Sequence, residues 1–185
     1  MTRSKLGERL GRAPILAVIL GALGATAARG LLGRVLLFKL RRDVRSLNAG
    51  DYRPLLAGFA DDAVLVFNDG PHRWAGVHSG KPAIERFLAS FVGAEIKGEI
   101  RELHFSGAPW RMTLLVRFDD EARGQDGELV YSNETALHVR TRWGKIVWQQ
   151  DFYADTERIT AFDRHLSELG ISLPVDDAAQ VGSAA

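Results

Sequence analysis

From Leu31 onward the apolar residues recur at helical spacing: Leu32, Val35, Leu36, Leu40, Val44 and Leu47, with basic residues on the other face. That pattern predicts an amphipathic helix ending near Asn48-Ala49-Gly50, where Gly50 supplies a left-handed C-cap. Asp51 is placed to cap a short helix over residues 52–59. Residues 63–68 are β-branched and aromatic and predict a strand, which Asp69-Gly70-Pro71 turns. Pro82 opens a helix to about Val92, with Ile84, Phe87, Leu88 and Phe91 on one stripe. Four strands follow, over 98–105, 111–119, 128–142 and 145–153, the last two joined by a tight Trp143-Gly144 turn. A final helix starts near Asp155/Thr156 and stops at Gly170. Helices first, then an antiparallel meander with one helix inserted after its first strand, predict an α+β domain whose curved sheet wraps over helices.

The 185 residues suit one compact domain with excess chain at both ends. The absence of cysteine rules out disulfide scaffolds, thiolate metal sites and cysteine nucleophiles. The net charge of +1 hides a split. Residues 1–45 carry ten Lys/Arg against Glu8 and Asp43, a net +8, and the other 140 carry 14 basic and 21 acidic residues, a net −7. Within that basic leader, residues 13–28 form an uncharged, mostly apolar run of 16. As a helix it is about 24 Å long, short of a hydrocarbon core of about 30 Å. Extension to Phe38 takes in Arg29 and Arg34. Three readings fit: a membrane anchor or interfacial helix through residues 13–38, a signal peptide with Ala25-Thr26-Ala27 as its cleavage-like site, or a soluble packed helix. The expected organisation is an extension over 1–30, a domain over 31–170 and a disordered tail over 171–185, in a cytoplasmic protein with membrane association through the leader. No aromatic residues interleave with the leader's charges, so a nucleic-acid partner is not expected.

Four segments in order carry a resemblance to a known group: 47–52 (LNAGDY), 59–63 (FADDA), Gly76 with 80–84 (GKPAI), and Gly144-Lys145-Ile146 leading into Asp151-Phe152-Tyr153-Ala154-Asp155. Together they resemble the NTF2-like superfamily, and within it the SnoaL-like group. The resemblance implies a cone-shaped α+β barrel over about residues 31–170. Its pocket would lie between the concave sheet face and the helices. Such folds host isomerases, polyketide cyclases, epoxide hydrolases, dehydratases and non-catalytic binding modules. A small, mostly apolar molecule is the implied partner, and the implied chemistry is acid–base catalysis without a cofactor.

Asp151 is the first candidate. It shares a strand face with Val147, Gln149 and Tyr153. If that face is concave, an apolar surrounding raises its pKa and makes it a general base. The opposite face holds Ile146, Trp148 and Phe152, which serves as a homodimer interface if it is convex and as the core if it is not. Arg117 and Asp119 also share a face. Arg117-Phe118-Asp119 with Asp151 resembles the site of limonene-type epoxide hydrolases. There Asp151 would deprotonate water, Asp119 would protonate the epoxide oxygen, and Arg117 would hold both carboxylates. Asn68 stands one place out of step with that site, and Leu65 replaces its tyrosine. A two-residue turn at Trp143-Gly144 would set Glu134 opposite Tyr153 and Ala136 opposite Asp151, so that Glu134 joins Asp151 in a carboxylate pair. Trp74, Phe87, Phe91, Trp110, Tyr131, Tyr153 and Asn68 are the expected ligand contacts. The five histidines lack metal-ligand spacing, and no dinucleotide or phosphate loop is present, so neither metal nor cofactor is expected.

Overall fold

The computed structural model describes residues 12–173, with side chains from Ala27 onward. The element order is α1 (Arg12–Asn48), α2 (Arg53–Leu56), β1 (Phe59–Phe67), β2 (Gly76–Ser79), α3 (Lys81–Gly93), β3 (Lys97–Ala108), β4 (Arg111–Arg123), β5 (Leu129–Arg142), β6 (Lys145–Tyr153) and α4 (Thr156–Glu168). The chain divides into two compact units at Phe38/Lys39. Among the described residues no helix is long and apolar enough to cross a membrane; the leader's apolar run over 13–28 lies for the most part outside the described side chains. The expected tail lies outside the described residues from 174 on. Its first residues pack back: Ile171 donates to Leu166, and Leu173 lies against the core.

Six strands form one sheet in the order β2-β1-β6-β5-β4-β3. Its pairings are antiparallel except β1 with β6, which is parallel, so the sheet is mixed where the sequence predicted a purely antiparallel one. The sheet curves but does not close into a barrel, leaving β2 and β3 as its edges. Helix α3 packs on β1 and β2, and α4 packs on β5. One sheet face supplies Ala63, Leu65 and Phe67 of β1 and Tyr131 of β5 to the core, where they meet Ile84, Phe87 and Phe91 of α3 and Ile159, Phe162 and Leu166 of α4. These side chains are close to fully buried, and each leucine, isoleucine and phenylalanine among them contributes about 1.5–3 kcal/mol relative to exposure.

Local chemistry sets the boundaries. Gly50, at φ +89°, ends α1, with its N–H on the Leu47 carbonyl. The Asp155 carboxylate caps α4 by accepting from the Glu157 and Arg158 N–H groups. Helix α2 is only four residues, and β1 starts at Phe59, four residues earlier than predicted. Asp61 and Asp62 sit on the exposed side of a bulged strand. Asn48, in the last turn of α1, brackets Gly98 of β3. Its amide donates to the Gly98 carbonyl at 2.8 Å, and its oxygen accepts from the Gly98 N–H at 2.9 Å. Gly98 is glycine for room: a Cβ there would lie 1.8 Å from the Phe118 ring.

Candidate functional site

The inward face of the sheet carries a polar island within its apolar rows. On β4 the residues Met112, Leu114, Val116, Phe118, Asp120 and Ala122 alternate inward and are all buried. Opposite them on β5 stand Leu137, Thr135 and Asn133, across from Val116, Phe118 and Asp120 respectively. Asp151 faces Leu137, and Tyr153 faces Thr135, on β6. Asp120, Thr135, Asp151 and Tyr153 therefore share one side of three adjacent strands. Asp120 is 2% exposed and Asp151 7%.

The hydrogen bonds are asymmetric. Tyr153 donates to Asp120 Oδ2 at 2.8 Å, and Tyr131 donates to the same oxygen at 3.3 Å. Asp120 Oδ1 is buried without a partner, as is Thr135 Oγ1. Asp151 Oδ1 accepts from the Gln149 amide at 2.8 Å. Burial pushes Asp120 up to about 7, against the lowering effect of both tyrosine hydroxyls. Burial likewise pushes Asp151 up to about 7, with the Gln149 bond lowering it and the charge of Asp120 raising it further. Burial, and then the Asp120 charge, raise both tyrosine hydroxyls above their ordinary value. At neutral pH the site thus holds two carboxyls balanced between acid and carboxylate, beside tyrosines that stay protonated.

Asp120 also lines an open cleft of about 740 Å³ at the sheet end near α1 and α4. Asn48, Gly98, Asn133, Asp155 and Arg158 border it. The Asn133 amide donates to the Asp155 carbonyl at 2.6 Å, which ties β5 to the start of α4 beside the opening.

No family model and no curated protein matches the sequence. Solved structures are similar in fold. Bal32a, from a soil-derived mobile gene cassette, is 20% identical, with a TM-score of 0.56 over 69% of this chain and 95% of its own. An NTF2-like protein of unknown function from Burkholderia pseudomallei is also 20% identical, with a TM-score of 0.55 over 69% of this chain and 95% of its own. TerC, co-crystallised with polyporic acid, is 17% identical, with a TM-score of 0.53 over 69% of this chain and 97% of its own. The fold is NTF2-like.

On the NTF2-like sheet, Asp151 and Tyr153 take inward positions; Arg117, Asp119 and Glu134 do not share that face, although Asp119 and Glu134 reach the rim of the cleft that Asp120 lines. Arg117 and Asp119 have the opposite parity to Phe118 and Asp120 and lie on the outward face. Arg117 pairs there with Glu134 at 3.3 Å, and Asp119 with Arg101 at 2.6 Å. The Arg-x-Asp site resembling that of limonene-type epoxide hydrolases is therefore not assembled. Glu134 is also outward, and the cause is a bulge. The pairing shifts by one between Arg140 and Thr141, so Tyr153 faces Thr135 and Asp151 faces Leu137. A one-residue slip moves every side chain to the other face, which removes Glu134 from the pair.

The expected ligand contacts divide in the same way. Trp74, Phe87 and Phe91 are buried in the aromatic core rather than bordering the cleft. Trp74 stacks on Phe162 at 6.3 Å, and Phe87 stacks on Phe91 at 5.8 Å. Trp110 is 56% exposed and borders an outward groove with Arg140 and Trp148. Asn68 lies just beyond β1, where its amide nitrogen is 3.4 Å from His72 Nε2. His78 lies on β2, buried, with Nε2 3.0 Å from the Trp74 carbonyl oxygen. Of the stripe Ile146, Trp148 and Phe152, Ile146 packs on the core, Trp148 lies under the Arg140 guanidinium, and Phe152 is 50% exposed.

Asp120 is the functional candidate that sequence inspection missed. Its signal was present: it continues the inward parity of Met112, Leu114, Val116 and Phe118. The strand predicted over 111–119 stops one residue short of it.

Proposed function

We propose that this domain binds a small, mostly apolar molecule bearing a carbonyl or similar acceptor oxygen, and that it carries out cofactor-independent proton transfer on it. Asp151 is the general base and Asp120 the hydrogen-bonding acid. The observation that carries this reading is the pair of buried inward carboxyls, one of them clamped on a single oxygen by two tyrosines. With both hydroxyls donating to Oδ2, the proton of neutral Asp120 belongs on Oδ1, the oxygen that has no protein partner. Asp120 is then a donor to a ligand oxygen, and Thr135 Oγ1 is a second unpaired polar atom beside it. Asp151, on the next inward position of β6 from Tyr153, takes a proton from an adjacent carbon or from water. The co-crystallisation of TerC with polyporic acid supports small-molecule binding on this fold. The outward face, with Leu115 and Phe152 about half exposed, suits contact with a second copy.

The experiment is a thermal-shift panel of small terpenoid, polyketide-like and steroid-like ketones. A compound that binds the folded state raises Tm. At least one is expected to raise the wild-type Tm by several degrees, and that shift is expected to shrink in Tyr153→Phe and vanish in Asp120→Leu. A panel without any shift, or a shift unaltered in Asp120→Leu, contradicts the assignment. A non-catalytic binding module gives the same shifts and is separated from an enzyme by turnover.

A further inference from the structure

We infer that the exposed apolar face of α1 rests on an anionic lipid surface, with the helix lying along the bilayer rather than across it. Leu31, Val35 and Phe38 are spaced four and three residues apart, so they line one side of the helix. They are 65%, 57% and 67% exposed. Three large apolar side chains this open, on consecutive turns of one helix, form a surface that water does not favour. Arg34 is exposed beside them, one residue before Val35.

Charge decides between the occupants. From Arg9 to Arg42 the chain carries seven Lys/Arg and no acidic residue, and the next residue, Asp43, pairs with Lys39 and Arg42, so the positive charge still dominates. Pairing two such helices in a second copy brings like charges together. An anionic headgroup layer supplies the opposite charge along the whole stretch. Residues 46–185 carry a net −7, so the attraction belongs to the leader alone. Crossing the bilayer is disfavoured by the sequence: an uncharged run over 13–28 would span about 24 Å as a helix, short of a hydrocarbon core of about 30 Å, and Arg29 and Arg34 interrupt its extension. Lying in the interface lets the arginines reach the headgroups while Leu31, Val35 and Phe38 enter the acyl boundary.

Co-sedimentation of the full chain with vesicles tests this. Vesicles of phosphatidylglycerol and phosphatidylcholine are expected to bind it at least tenfold more tightly than pure phosphatidylcholine, with binding weakened by high salt. The triple variant Leu31→Gln, Val35→Gln, Phe38→Gln should lose at least tenfold while keeping the wild-type Tm. Alkaline carbonate should release the bound protein. Four results would each overturn the inference: equal binding to neutral vesicles, unchanged binding of the variant, retention in carbonate, or absence of vesicle binding together with a dimer that the variant abolishes.

Discussion

Asp151→Asn is expected to abolish turnover and to leave ligand binding nearly intact. Asparagine keeps the size and hydrogen-bonding reach of the side chain, including a partner for the Gln149 amide 2.8 Å away, but it has no basic oxygen. Loss of a positioned general base costs on the order of 10²–10⁴ in rate. The loss should appear in kcat, while the thermal shift from a bound ketone stays within a degree or two of wild type. The substitution also removes a buried ionisable group, so the variant should be at least as stable as wild type above neutral pH. Turnover within a few-fold of wild type on a ligand found by the panel removes Asp151 from the chemistry. No turnover in wild type on any bound ligand favours the binding module.

Trp74→Ala has the largest expected effect on stability. Trp74 is 1% exposed, stacked on Phe162 at 6.3 Å and edge-on to Phe91 at 6.4 Å. It joins the loop before β2 to α3 and α4, so its removal leaves a hole that three elements must collapse to fill. Buried Trp→Ala substitutions cost about 3–5 kcal/mol. A domain of this size has about 5–15 kcal/mol in total, so a large share goes. Urea unfolding should show the midpoint fall with little change in slope. Trp74→Phe should cost less: it keeps an aromatic ring in the stack and removes an indole N–H that has no partner. If Trp74 instead walled the ligand site, Trp74→Ala would weaken binding and leave the free energy of unfolding within about 1 kcal/mol of wild type.

The elements were largely legible because their signals are local. The cap at Asp155, the glycine at 50 and the alternation along β4 to β6 each act within a few residues. Trp143-Gly144 was legible as a turn, and both residues adopt positive φ, 51° and 76°, as a primed hairpin requires. The short strand β2 was not legible, because four residues at a sheet edge carry too little periodicity. Nor was the parallel β1–β6 pairing, which depends on contacts some 80 residues apart. At the site, alternation grouped Asp151 with Tyr153 but left the choice of face open. The bulge at Arg140/Thr141 decided the fate of Glu134, and no residue in that stretch announces a bulge. Arg117 and Asp119 were drawn in by family resemblance, whereas the parity of their own strand points them outward.

Both inward carboxyls have raised pKa values, which links protonation to folding. The unfolded chain releases these protons near the ordinary carboxyl value of about 4, and the folded domain keeps them to about 7. Between those limits the native state holds more protons, so the stability they confer is full below about pH 4 and is lost as pH rises through about 7. The two groups sense each other and titrate as a pair, so apparent midpoints belong to the pair.

The most direct measurement is the pH titration of the Asp120 and Asp151 carboxyl carbons by NMR, with Asp120→Asn and Asp151→Asn giving the assignments. Midpoints near 7 for the pair, with the remaining midpoint falling when either partner is replaced, are the predicted result. Midpoints near 4 for both, unmoved by either substitution, would show two hydrated, independent carboxylates and contradict the site.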